Sequence, residues 1–385
     1  MYMQTERIDA QKTTRESGIE LLKIIAIFLI VISHVVRTLC AGNSYISYQD
    51  YVLDLSAAST NLQYFLLVLF RHFGVLGNTV FFVSSAWFLL GSSQFKKRKW
   101  LFMLIEIWVI SVIILIVTYI ITGGNISGRV ILKSLFPTLF AFNWYLTCYL
   151  LFYPIHPLLN TVIRSLDKRH LFRISAALFT LYCVFGFIDG SWFFPSLIIL
   201  WITFYFVMAY IQLYLVDFSN DLKKNGLLFL IGLIGFVGLP ALTNFLGLRI
   251  SFLRNQMLRW STNCNPFLIA MAIAMFNIAR NIHFRSGAVN YIACLSMLIY
   301  IIHENIILSN YFRPYIINAI YTKYGYDHIV LWVLFLSVGI LLFGIVCSVL
   351  YDKTLRKLVR KLCDGLYPIL RKGYLLVEKH LLAFR

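Results

Sequence analysis

The sequence predicts an all-α, polytopic membrane helical bundle of about ten transmembrane helices with both termini cytosolic. Three observations carry that expectation. The 385-residue chain is 60% hydrophobic and 17% aromatic, with only 13% charged residues, and its mean hydropathy is +0.79. A water-soluble core has no room for so much apolar sequence. The apolar runs are long and continuous, whereas the strands of an outer-membrane barrel alternate apolar and polar residues. The net charge of +18 is concentrated in alternate loops, inner over outer by roughly three to one, as the positive-inside rule requires. Charge placed in that way marks topology and argues against a nucleic-acid partner.

Taken in order, residues 1–18 read as a polar, mixed-charge cytosolic tail. The membrane domain is expected over 19–350, beginning with span 1 at 19–39. A tyrosine-bearing polar loop occupies 40–60, and 61–72 reads as an interfacial helix leading into span 2 at 73–91. The densest internal basic cluster, Lys96-Lys97-Arg98-Lys99, separates it from span 3 at 101–122, and a Gly-rich loop runs to Pro137. Spans 4 to 7 are expected near 140–160, 174–188, 195–215 and 226–246, and spans 8 to 10 near 264–279, 288–309 and 329–350. The tail, 351–385, sets Leu355, Leu358, Val359, Leu362 and Leu366 at helical spacing among Lys and Arg. It reads as an amphipathic helix on an anionic inner leaflet.

Seven cysteines, none in a CxxC pair, sit mostly within apolar spans. They suggest neither a disulfide framework nor a zinc site. The first apolar run passes Ser33 and His34 without a small-x-small cleavage site, so it reads as a retained span, and Leu39 spoils a lipoprotein site at Cys40. No tandem repeat and no inverted pair of broken spans is evident.

Span 1 carries Glu20, Lys23 and His34 in an otherwise apolar stretch. The eleven steps from Lys23 to His34 turn a helix through three turns plus about 20° and climb roughly 16 Å. Glu20 lies about 60° from Lys23, so the three form one stripe. Ionisable groups inside a span face a bundle interior or a cavity. Two readings are open: a functional stripe, or a snorkelling Lys23 with His34 capping the outer end. A histidine can relay a proton between a hydroxyl and a leaving group. The Lys96–Lys99 cluster either holds a polyanion by its phosphates or only sets topology. Arg71-His-Phe-Gly-Val-Leu-Gly-Asn78 permits a broken or re-entrant start to span 2, with Arg71 available to an anionic acceptor, or is a plain anchor. Trp144 and Tyr145 form an aromatic belt or a stacking surface for sugar rings. Tyr300, His303 and Glu304 place a His-Glu pair inside span 9, where an unpartnered charge is costly. Glu106, in the cytosolic half of span 3, is a possible partner for Lys23 or snorkels. No GxSxG elbow, Walker loop, HExxH or Rossmann fingerprint occurs.

Several of these pieces resemble, together, acyltransferase family 3, multi-pass bacterial enzymes that O-acylate cell-surface glycans. Glu20-Leu-Leu-Lys23, then ten residues, then His34 is similar to the family's first-span signature. Val80-Phe-Phe-Val-Ser-Ser-Ala-Trp-Phe-Leu89 resembles its second-span stretch. Trp144-Tyr-Leu-Thr-Cys-Tyr149 with Pro157-Leu-Leu-Asn160 resembles its fourth span, and Leu298-Ile-Tyr-Ile-Ile-His303 its late motif. The likeness covers most of 15–352. Lys23 stands where the family usually has Arg, which loses a forked contact and keeps the charge. Ala86 replaces a usual Gly, and Lys-Lys-Arg-Lys stands for a pair of arginines. The extracellular esterase-like domain fused to some members is absent.

The resemblance implies an integral-membrane O-acyltransferase of the bacterial cytoplasmic membrane. It implies acetyl-CoA or another acyl-CoA as donor, no metal, and a capsular, wall or lipid-linked polysaccharide as acceptor. Other polysaccharide-synthesis proteins are implied as partners, in addition to the lipid bilayer. In that scheme Lys96, Lys97, Arg98 and Lys99 lie near the CoA phosphates. His34 is general base or transient acyl carrier, and Glu20 and Lys23 order the inner half of the channel. Arg71, Trp144, Tyr145, Tyr300, His303 and Glu304 bind the acceptor. A transporter or flippase for a lipid-linked saccharide is the rival from another class, and a glycan polymerase is a third.

Overall fold

The structure, a computed structural model, describes residues 16–40, 52–92, 94–140, 143–188 and 197–382, with the backbone alone for 374–382. Most of the N-terminal tail, much of the 40–60 loop and residues 189–196 lie outside the described residues. The helices are α1 (Ser17–Cys40), α2 (Leu62–Leu90), α3 (Lys97–Ile121), α4 (Gly128–Leu135) and α5 (Trp144–Ser165). They continue with α6 (Lys168–Phe179), a π-helical turn, α7 (Gly186–Ile188), α8 (Leu197–Tyr214), α9 (Val216–Asn220) and α10 (Leu222–Gly247). The last are α11 (Pro266–Arg280), α12 (Gly287–Cys294), α13 (Ser296–His303), α14 (Arg313–Tyr324), α15 (Ile329–Thr354) and α16 (Arg356–Leu382). No strand occurs among the described residues.

Eight of these segments are long and apolar enough to cross a membrane. Two expected spans differ. That at 264–279 is the shorter α11, of 15 residues, and that at 288–309 is broken into α12, α13 and a π-helical turn. The helix starts follow local chemistry. Asn61, Asp167, Asp221, Asn265 and Ser286 each accept hydrogen bonds from the first-turn backbone N–H groups of α2, α6, α10, α11 and α12. His170 N–H reaches the Asp167 carboxylate at 2.7 Å, and with the His170 ring it holds that carboxyl below its usual range.

α1 is the hub of the bundle, in contact with α2, α11, α12, α13, α14 and α15. Polar contacts sort the helix ends into two sets. At one end, Asn160 donates to the Leu89 and Ser92 carbonyls, Asn277 to Asn225, and Asn281 to the Ser219 carbonyl. At the other, Ser33 donates to the Arg71 carbonyl, Asn244 to the Ser59 carbonyl, and Trp260 to Thr243. Each contact joins positions that the alternation of spans places on one side.

Three local expectations are corrected. Residues 62–72 do not form a separate interfacial helix; they are the first turns of the continuous helix α2. Gly74 and Gly77 do not break it. A Cβ at Gly77 would lie 2.5 Å from the Ala26 carbonyl oxygen, and one at Gly74 would lie 2.5 Å from Ser33 Oγ. The glycines let the α1 and α2 backbones approach, as small residues do in membrane bundles. Glu106 does not pair with Lys23. Its carboxylate lies 3.0 Å from Arg356 at the start of α16, while Lys23 donates to Glu20 at 3.0 Å. The amphipathic tail packs on α3, where Arg98 Nε donates to Asp364 at 2.7 Å.

Candidate active site

The site arises where α1 and the broken ninth segment run side by side. The two are parallel and in register. The Ser286 N–H donates to Ser17 Oγ at one end and His34 meets His303 further along, with a separation of 269 residues at both places. His34 and His303 therefore reach the same depth by construction. α13 stops at His303, and Glu304 leaves the helix at φ −100°, ψ 13°. Asn305 accepts from the Ile307 N–H at 2.9 Å and fixes the chain beyond the break. Non-helical backbone at membrane depth is tolerated where protein or a cavity surrounds it. Here it turns Glu304 back toward His34.

His34 Nδ1 lies 2.9 Å from Glu304 Oε1 and 3.2 Å from His303 Nε2. The surrounding hydrogen bonds assign the protons. His303 Nδ1 is 2.9 Å from the Ile299 carbonyl, which can only accept, so that nitrogen carries a hydrogen. His303 Nε2 then presents a lone pair, as does the Glu304 carboxylate. Both face His34 Nδ1, which must be the donor. The lone pair of His34 is thereby left on Nε2, the atom that can take a proton from a reactant.

Arg313, the first residue of α14, locks this arrangement. It is buried, at 6% exposure, and its Nη2 donates to Glu304 Oε1 at 2.8 Å and to the His303 carbonyl. Its Nη1 reaches the His34 carbonyl and Thr38 Oγ1, each at 3.4 Å. One guanidinium thus ties α1, α13 and α14 together and holds the carboxylate against the imidazole. A buried ion pair is useful only when further hydrogen bonds support it, and here the guanidinium also reaches the His303 and His34 carbonyls and Thr38.

His34, His303 and Glu304 also bring their ligand atoms within 4.8 Å of one another, a donor set able to hold a divalent metal. Arg313 already places a permanent positive charge on the shared carboxylate oxygen, so a hydrogen-bond relay accounts for all three groups.

The aromatic residues stand behind this relay. The Tyr300 ring lies 5.6 Å from His303 and 6.1 Å from Tyr145, and Trp144 packs on Tyr145 at 5.8 Å. Arg71 takes part through its backbone carbonyl, which accepts from Ser33 of α1 at 2.7 Å. Glu20 and Lys23 form their pair nearer the start of α1 and do not join His34. The Lys96–Lys99 cluster lies in the connection between α2 and α3 and the first turn of α3, exposed. Arg98 there is engaged by Asp364, and Lys99 Nζ lies 5.8 Å from the centroid of the Tyr153 ring.

Arg313 was not among the sequence-derived site residues. The signal was present: between Glu304 and Thr322 it is the one charged residue in an apolar stretch, and such a residue seeks a partner. A family model described as an acyltransferase domain matches residues 16–351 of the chain. No curated protein and no solved structure matches it.

Proposed function

The chain belongs to acyltransferase family 3 and is a multi-pass membrane acyltransferase, and we propose that it moves an acyl group from acyl-CoA to a glycan hydroxyl. The observation that supports this most is the Arg313–Glu304–His34 relay, which leaves one imidazole lone pair oriented for proton transfer.

In the proposed reaction the glycan hydroxyl oxygen attacks the thioester carbonyl carbon while His34 Nε2 takes its proton. Glu304 faces the opposite ring nitrogen and stabilises the imidazolium that forms, as the carboxylate does in a serine-protease triad. The tetrahedral intermediate collapses with cleavage of the C–S bond. The CoA sulfur leaves with the proton returned by His34, and the ester remains on the sugar. Arg313 fixes the carboxylate and Tyr300 backs His303. The exposed cations at 96–99 suit the phosphates of CoA at the cytosolic mouth.

The test is acyl transfer per folded molecule in His34→Ala and His34→Gln. A general base contributes about 10²–10⁴-fold, so both variants are expected to lose at least that much while keeping their fold. Gln preserves hydrogen bonding without basicity, so its loss separates a base from a structural histidine. A well-folded His34→Ala protein with substantial transfer overturns the proposal.

A further inference from the structure

Two guanidinium groups flank the relay on the side that the charge bias makes extracellular, and neither has taken part so far. Ser33 of α1 donates to the Arg71 carbonyl at 2.7 Å, while the next residue, His34, faces His303 and Glu304. Arg37 lies one turn further along α1, about 40° around the helix from Ser33 and about 60° from His34. It therefore stands between Arg71 and the relay, and its charge acts on both Arg71 and His34. Arg37 is exposed and Arg71 half-buried. Among the described residues no carboxylate forms an ion pair with either side chain. Asp54, close to Cys40 at the end of α1, has its Oδ1 taken by the Ser56 N–H and hydroxyl at 2.8 and 2.6 Å.

A second set of cations lies on the same side, in the connection from α10 to α11. Arg249, Arg254 and Arg259 are all exposed there, although the positive-inside rule keeps basic residues out of such loops. No Asp or Glu occurs between Asp221 and Glu304 to offset them. The loop is fastened over the outer ends of α1 and α2. The Ala58 N–H donates to the Arg254 carbonyl at 2.7 Å, and the Met257 N–H to the Ser56 carbonyl at 3.1 Å. Met257 is 1% exposed and belongs to one apolar cluster with Val35 and Leu39 of α1 and Leu67 of α2. The Arg249 guanidinium lies 4.3 Å from the Phe245 ring centroid, and that of Arg259 lies 5.5 Å from Trp260.

Like charges held side by side repel unless an anion joins them, and complementary charge is what selects a partner. A lipid headgroup fits poorly, because α1 is in contact with α2 and α11 to α15, so Arg37 is ringed by protein. A single small anion would satisfy the pair and leave the loop unmatched. A chain with negative charge repeated along it meets both. We propose that the acceptor is a polyanionic glycan, bearing carboxylate or phosphodiester groups, that lies across the 248–265 loop and enters between Arg37 and Arg71. Arg37 then holds the charged group of the unit presented to His34 and sets specificity for it. The proposal rests on the acyltransferase reading for what the glycan receives, but the surface can be tested without turnover.

The experiment titrates the full chain in phosphatidylcholine nanodiscs with three fluorescent oligomers of equal length: an oligogalacturonate, an oligo(glycerol phosphate) and a neutral malto-oligosaccharide. One charged oligomer or both should bind at least tenfold more tightly than the neutral one, with an affinity that falls steeply with salt; the preferred one identifies the charged group. Arg37→Gln should lose about tenfold or more of that affinity, as expected for a charge-assisted hydrogen bond, and Arg37→Lys should retain most of it. Arg249→Gln combined with Arg254→Gln, both on the exposed loop, should weaken the charged oligomer and leave the neutral one unchanged. Glycerol phosphate, a soluble stand-in for a lipid headgroup, should not displace the oligomer; displacement at equal charge concentration marks a single-anion site and overturns the proposal. Equal binding of charged and neutral oligomers, or charged binding indifferent to Arg37→Gln in folded protein, also overturns it. Turnover separates the two readings. Transfer to the neutral oligomer as fast as to the charged ones refutes this inference and leaves the acyltransferase standing. Charged binding that depends on Arg37, with no transfer from any acyl-CoA, supports the surface and refutes the assigned reaction.

Discussion

Replacing Glu304 by Gln removes one negative charge and little else, so its effect can be worked from the geometry. The carboxylate Oε1 lies 2.9 Å from His34 Nδ1, which puts the charge centres about 4 Å apart when His34 is protonated. With an effective dielectric of about 20 the attraction is about 4 kcal/mol, or roughly 10³-fold in rate at 1.4 kcal/mol per decade. Arg313 is left in place by the substitution, and its charge then opposes the imidazolium, so the loss should not be smaller. The assay is release of CoA thiol coupled to acyl transfer, per folded molecule, in Glu304→Gln, His34→Ala and the double variant. Residues acting as one unit are not additive, so the double variant should be no slower than His34→Ala alone. The substitution also strands a buried guanidinium, a destabilisation of about 3–5 kcal/mol. Adding Arg313→Met should restore yield without restoring turnover. Near-normal transfer in folded Glu304→Gln, or fully additive losses in the double variant, would refute the relay.

Four further expectations follow from other parts of the structure. Changing Lys96, Lys97 and Lys99 to Gln should raise the apparent KM for acyl-CoA and leave that for the acceptor alone; an effect on membrane insertion only would reduce the cluster to a topology signal. Lys23→Arg should keep the contact with Glu20 and be tolerated, whereas Lys23→Ala, which leaves buried Glu20 without that contact, should lower yield or activity. Gly77→Val forces a side chain against the Ala26 carbonyl and should lower the Tm in detergent, at a cost of about 1–3 kcal/mol; an unchanged Tm would mean the helices separate freely there. Reporter fusions after Asn125 and after Lys223 should report opposite sides of the membrane, and the same side for both would break the proposed alternation.

Composition and charge placement alone determined that this is a helical membrane protein, because a bilayer imposes long apolar runs and sorts basic loops regardless of how the helices later pack. The stripe on span 1 and the His303–Glu304 pair were likewise visible as ionisable groups in an apolar setting. Their partnership was not. His34 and His303 are 269 residues apart; the alternation of spans makes α1 and the ninth segment parallel, but nothing in the periodicity of either says that they are adjacent and in register. The break after His303 was hidden as well, since the run through 309 is as apolar as a continuous helix, and only packing turns Glu304 back onto His34. The same limit explains the other differences. Glu106 read as a partner for Lys23 or as a snorkelling group, and the docking of α16 onto α3 gave it Arg356 instead. The glycines at 74 and 77 looked like a helix break until the α1 backbone filled the space beside them. Arg313 could be noticed as a charge in an apolar stretch, but its role depends on three segments converging on one guanidinium, a fact of tertiary structure alone.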